Sequence, residues 1–230
     1  MTPGERLEQR LERGAIEVDD VIEIARMLAV HLDAEHDAGR VDGAVVPARV
    51  ELHAGGAPRL LEARPEHRGV KAYVAPEAWT GSPTAAADQF SMAAILYEAL
   101  CGGRAFPGDD SIKIRVSITT GNRVPLAARV PGLAEAVDDV FGKALAVAPE
   151  ERYPSCAAFA DALVTAIERS REAANVLVQK PASRPAPSRP PPRLPGWDDA
   201  EPPIPWMKVL VGLALLAMIA ALLALSGGQK

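Results

Sequence analysis

The sequence predicts a mainly α-helical head carrying one short β-hairpin, then a disordered proline-rich linker and one transmembrane helix. Three observations predict it. Apolar residues before residue 175 recur mostly at helical spacing, apart from one β-branched stretch interrupted by Pro47 and by Gly55 and Gly56. Ten prolines fall between Pro181 and Pro205. Val209 to Leu225 is a run of 17 residues without a charge. The expected domains are residues 1–175 for the head, 176–205 for the linker, 206–226 for the membrane helix and 227–230 for a short tail.

The elements follow in chain order. Met1 to Gly14 is polar and charged and has no apolar stretch of the secretory type. Asp19 and Asp20 suit an N-cap, Val21, Ile24, Ala25, Leu28 and Leu32 form an apolar stripe, and Gly39 suits the stop. His31, beside the stripe, reads as a core or boundary histidine rather than a catalytic one. Val45 to Leu61 suits two short strands in a hairpin. Asp88 to Leu100 is apolar nearly all round, and such a helix belongs at the centre of a domain. A third helix carries Leu133, Val137, Val140, Phe141, Ala144 and Leu145, and a fourth starts after Ser155 with Phe159, Leu163, Ala166 and Ile167. No internal repeat stands out.

Prolines fix φ and remove amide donors, so the linker reads as a partly polyproline spacer of about 3.1 Å per residue. Pro190 to Pro192, among Arg184, Arg189 and Arg193, could also dock a polyproline reader. The apolar run that follows fits a hydrocarbon core about 30 Å thick, with Trp206 at the interface and Lys208 reaching back to the headgroups. Only Ser226 to Lys230 come after it, so the expected topology is a single-pass tail anchor with the head in the cytoplasm.

Composition removes other classes. Lys+Arg 25 against Asp+Glu 30 leaves a net charge of −5, which argues against nucleic acid as a partner. Cys101 and Cys156 cannot form a disulfide framework or a four-ligand zinc site and read as reduced thiols. His31, His36, His53 and His67 lack zinc-protease spacing, and no G-x-S-x-G elbow is present.

Four motifs in order carry a resemblance. Gly69 to Glu77 (GVKAYVAPE) resembles the end of a protein-kinase activation segment. Asp88 to Glu98 (DQFSMAAILYE) resembles the helix after it, and Gly103 to Gly108 (GRAFPG) the next loop. Ala144 and Leu145 through Pro149 to Tyr153 (PEERY) resemble the closing motif of the large lobe. Together the chain resembles the C-terminal lobe of a bacterial serine/threonine protein kinase, without the small lobe. His36 to Arg49 overlays the catalytic loop and Leu60 to Arg64 the metal-binding turn. The resemblance implies a place in the bacterial inner membrane.

The same resemblance implies that the chemistry has been lost. No G-x-G-x-x-G is present, and the first lysine is Lys71. Ala44 stands where a kinase has the aspartate that orients the attacking hydroxyl, and Val46 where it has a lysine. Arg49 replaces the metal-holding asparagine, and Glu62 the metal-binding aspartate. Asp42 is the only acid near the loop, two residues early. Glu62 to Glu77 holds no serine or threonine, and Val70 takes the place of the usual threonine. Neither ATP nor Mg²⁺ is expected to bind. The retained residues are structural: Glu77 and Arg152 as a buried ion pair, and Asp88 either as acceptor for the catalytic-loop backbone or as an N-cap. The implied role is an inactive, membrane-anchored binding module for a cytosolic protein, an active kinase or its substrate, or for a second copy of the chain. Asp109 to Val130 is the expected docking surface, and Tyr73 is expected to pack beneath the Pro76 turn. The alternative is a kinase-type enzyme, truncated or completed by a small lobe from another chain.

Overall fold

The helix α3, Ala85–Cys101, is the axis of the head. Its sequence has no polar face, and 13 of its 17 residues are buried, Phe90, Met92, Ile95, Leu96 and Tyr97 completely. Such a helix is stable only when neighbours cover it on every side. The computed structural model describes residues 4–53, 56–68, 70–130, 133 and 135–179, and in it those neighbours are helices. The linker beyond residue 180 and the apolar run Val209 to Leu225 lie outside the described residues. Among the described residues no helix is long and apolar enough to cross a membrane.

Before α3 come a two-residue strand β1 (Glu5–Arg6), a short helix α1 (Leu7–Leu11) and the long helix α2 (Val18–Asp37). The strands β2 (Val50–His53) and β3 (Gly56–Leu60) follow. After α3 come α4 (Ser111–Thr119), α5 (Glu135–Ala144) and α6 (Cys156–Gln179). Helix α2 packs on α3, α6 and β3, while α5 packs on α3 and α6. An aromatic chain ties the last layer together. Tyr97 meets Phe141 edge-on at 5.6 Å, Phe141 meets Phe159 at 5.9 Å, and Phe159 meets Tyr153 at 5.8 Å.

The predicted hairpin is two strands of a three-stranded antiparallel sheet in the order β1-β2-β3. Val50 pairs with Leu60, and Glu5 with Leu52. The third strand comes from the polar N-terminal stretch, and two residues are too few to show alternation. The α2 start also differs from expectation. Glu17 is the N-cap, without a side-chain cap bond, and Asp19 and Asp20 lie in the first turn, where carboxylates favour the helix dipole. Gly39 serves the stop as expected: at φ +72° it takes the left-handed conformation just past the cap residue Ala38. His31 is exposed rather than a core or boundary residue.

Helix α4 was not legible as a helix. Asp110 caps it, accepting from the amides of Ile112 and Lys113 at 2.8 Å each. Within the expected docking segment, Ile114 and Ile118 are core residues, whereas Ile112 is 74% exposed and Val116 54%. Helix α6 runs four residues past the expected end of the head.

Candidate functional site

The loop from His36 to Arg49 is held from below by Asp88, in the first turn of α3. One carboxylate oxygen accepts from the Gly43 amide at 2.8 Å, and the other from the Asp42 amide at 2.9 Å. His36 Nε2 meets that second oxygen at 2.9 Å. Burial pushes the Asp88 carboxyl above the usual carboxylate range, against these three hydrogen bonds, which pull it down. The N-cap of α3 is Thr84, whose hydroxyl accepts from the Ala87 amide at 3.2 Å. Asp88 therefore takes the first of its two readings. Gly43 permits the loop to turn: its φ is +64°, and a Cβ there would lie 2.7 Å from Pro83 Cγ.

Arg49 sits at the loop's end with its side chain only 3% exposed. Its Nε donates to the Leu61 carbonyl at 2.7 Å, and its Nη1 to the Ala44 carbonyl at 2.9 Å. Nη2 donates to Asp42 Oδ2 at 2.8 Å, and Nη1 reaches Asp42 Oδ1, so the carboxylate is gripped by both nitrogens. Asp42 Oδ1 also accepts from the Ala44 amide at 3.0 Å. Ala44, Val45 and Val46 are buried apolar residues, and Glu62, next to Leu61, is exposed. One guanidinium thus fastens the loop to the end of β3 and occupies the Asp42 carboxylate, the one nearest Ala44.

A second buried guanidinium lies elsewhere in the head. The Arg152 side chain is fully buried. Its Nη1 and Nη2 donate to the two carboxylate oxygens of Glu77 at 2.6 and 2.9 Å. The remaining donors reach the carbonyls of Ala86, Ala146 and Val147, and the group lies 5.0 Å over the Phe90 ring. Gln89 extends this clamp, donating to the Tyr153 and Ser155 carbonyls at 2.8 and 2.9 Å. Tyr73 is buried, and its hydroxyl donates to Glu98 Oε2 at 2.6 Å. Burial first, and then the Glu98 charge, push its phenol well above its ordinary value.

No protein-family model matches the chain. Over 99 residues it is 36% identical to the tyrosine-protein kinase MasK of Myxococcus xanthus, a stretch covering 43% of this chain and 15% of that kinase. Over 158 residues it is 28% identical to the serine/threonine-protein kinase PknE of Mycobacterium tuberculosis, covering 63% of this chain and 28% of PknE. The crystal structure of the Mycobacterium tuberculosis PknI kinase domain superposes with a TM-score of 0.56 at 28% identity. That superposition covers 72% of this chain and 64% of the PknI domain.

The fold is protein-kinase-like. The chain spans less than a third of the length of these two curated relatives.

Within this kinase-like head, Ala44, Arg49 and Asp88 are neighbours around one loop, and Glu62 lies beside the same knot but faces solvent. Glu77 and Arg152 meet across 75 positions of sequence. Two features of the site were not legible in advance. His36 is the third partner of Asp88, 52 residues away, and no local periodicity points to it. Asp42 pairs with Arg49 rather than standing ready for a substrate. The one available signal was seven-residue spacing between opposite charges flanking an apolar Ala44–Val46 stretch, which a sequence alone cannot tell from two solvated side chains.

Proposed function

We propose that this chain is a catalytically inactive, protein-kinase-like binding module, tethered to the bacterial inner membrane by Val209 to Leu225 with its head in the cytoplasm. The observation that carries the reading is the engagement of Arg49. Phosphoryl transfer needs divalent cations between carboxylate and amide oxygens and the nucleotide phosphates. By resemblance, the position that should offer an amide oxygen offers a buried guanidinium instead, held by Asp42, Ala44 and Leu61. A fixed cation repels a second one, most strongly where water is excluded. The position that should orient the attacking hydroxyl is the Ala44 methyl, and Asp42, the nearest candidate to replace it, is committed to Arg49. These residues do not fit Mg²⁺ or ATP, and no catalytic step is derived through either.

With chemistry set aside, binding is the remaining use of such a head. Ile112 and Val116 on α4 give it an exposed apolar edge suited to a cytosolic protein, an active kinase or its substrate, or a second copy of the chain. The deciding experiment is a thermal melt of the full chain in detergent with Mg²⁺ and ATP. A ligand at 100 times its dissociation constant stabilises a fold by about 2.7 kcal/mol, so binding would be conspicuous. The expected result is a flat response and no radiolabel transfer to the chain or to a generic protein substrate. A saturable rise in midpoint, or incorporated label, overturns the inactive reading. Recovery of the chain in the soluble fraction, or its release from membranes by a high-salt or carbonate wash, overturns the tether.

A further inference from the structure

A cluster on the far side of His36 has no part in the kinase-like chemistry. Asp33 and His36 lie three residues apart on α2 and so project from one face, and Cys156 is the first residue of α6. A carboxylate oxygen, an imidazole nitrogen and a thiol sulfur from these three lie within 4.8 Å of one another. We propose that Asp33, His36 and Cys156 form a binding site for a thiophilic divalent cation, with Zn²⁺ the best match.

The geometry comes first. In a tetrahedral zinc site with bonds of about 2.0–2.3 Å, donor atoms stand roughly 3.3–3.8 Å apart. His36 Nδ1 and Asp33 Oδ1 are already 3.8 Å apart, too far for a hydrogen bond and right for two ligands of one ion. The three donors lie within 4.8 Å of one another, so closing them onto one ion takes a movement of about an ångström.

The orientation of His36 comes second. Its Nε2 is taken by Asp88 at 2.9 Å, which favours the tautomer with the proton on that nitrogen. The lone pair then lies on Nδ1, the atom that faces Asp33. A carboxylate behind the distal nitrogen is the usual support of a metal-bound histidine. Asp33 is also fixed, since its two oxygens accept from the amides of Cys156 and Ala157 at 2.9 and 2.8 Å. Each oxygen keeps a second lone pair. A helix cap and a thiol hydrogen bond account for Asp33 and Cys156 without an ion, but they leave the Nδ1 lone pair, 3.8 Å from Asp33 Oδ1, without a donor.

Access comes third. The cluster opens into a cavity of about 360 Å³ that Asp37, Tyr153 and Ser155 also line. That is room for a water or the Asp37 carboxylate as fourth ligand. A nitrogen, a sulfur and one carboxylate select zinc-like ions over Mg²⁺ and Ca²⁺, which take oxygen. On binding, the Cys156 thiol gives its proton to solvent and the thiolate enters the coordination shell. The ion would join the end of α2 to the start of α6.

The test is a Co²⁺ titration of the full chain, reduced and stripped of metal, in detergent. The expected result is a thiolate-to-cobalt charge-transfer band saturating at one ion per chain and removed by Zn²⁺. The band should be lost in Cys156→Ala and kept in Cys101→Ala, and Zn²⁺ should raise the melting midpoint of the parent but not of Cys156→Ala. If Cys156→Ala does not fold, two other variants decide. Asp33→Asn keeps a capping oxygen, and His36→Gln keeps an N–H for Asp88. Each should weaken Co²⁺ by at least the roughly 10–100-fold that loss of a mere supporting partner costs. No band, a band that follows Cys101, or unchanged affinity in both of these variants overturns the site.

Discussion

Among the described residues the head contains two buried guanidinium groups, and they do opposite work. Arg152 joins residues 75 positions apart, tying the segment that ends at Glu77 to the loop before α6. Arg49 joins residues seven positions apart and fills the middle of its own loop. Both bind a carboxylate through two nitrogens, and both spend their other donors on backbone carbonyls. A bidentate ion pair is therefore a neutral building material. What decides its meaning is the contact order it closes and the position it occupies. The first holds the frame of a kinase-like fold, and the second, in the proposed reading, fills the position where a kinase would hold a metal.

The comparison breaks most easily at Arg152. Arg152→Ala should destabilise the head by roughly 3–5 kcal/mol, because Glu77 loses its counter-charge and three carbonyls lose their donor. Glu77→Gln should cost less, since Glu77 is 20% exposed and the guanidinium keeps its carbonyl acceptors. Urea melts of the two variants read the difference directly. Equal costs would mean that the carbonyl contacts contribute nothing and that the frame rests on the ion pair alone.

At Arg49 the informative quantity is a coupling. A double-mutant cycle of Arg49→Gln and Asp42→Asn isolates the pair, with an expected interaction of about 1–3 kcal/mol. Each single variant leaves one buried charge alone, and the double leaves none. A coupling near zero would show that the two side chains are merely adjacent, and the proposed blockade of the site would lose its anchor.

Legibility divides along the same line as the comparison. The axis helix α3, the amphipathic helices α5 and α6, and the Glu77–Arg152 motif were readable, because each is marked by apolar periodicity or by a motif. The strand β1, the helices α1 and α4, and the third partner of Asp88 were not. Short elements carry too few residues for a period to register. Helix α4 was hidden because its buried residues, Ile114, Ser117 and Ile118, alternate with the exposed Ile112 and Val116, so its sequence shows no apolar face. His36 was hidden because a histidine's role is fixed by what lies across the fold, 52 residues away.

The finest contrast separates the two roles that the sequence leaves open for Asp88. If Thr84 caps α3 and Asp88 holds the loop, Thr84→Ala should cost about 1 kcal/mol at every pH. Asp88→Asn should cost more, about 1.5–3 kcal/mol, since an amide can accept from only one of the two loop amides without turning an N–H toward the other. It should also bring a pH signature. Burial raises the folded pKa of Asp88 above its unfolded value. The folded state then binds the extra proton, so this group's contribution is fully present below the unfolded pKa and is lost as pH rises through the folded one. The groups that face this carboxylate are His36, hydrogen-bonded to it, and Asp42, whose amide it accepts from. Chemical melts from acid to neutral pH should show the parent losing stability relative to Asp88→Asn across that window, with Thr84→Ala running parallel to the parent. A Thr84→Ala curve that bends with pH while Asp88→Asn runs parallel would exchange the two roles.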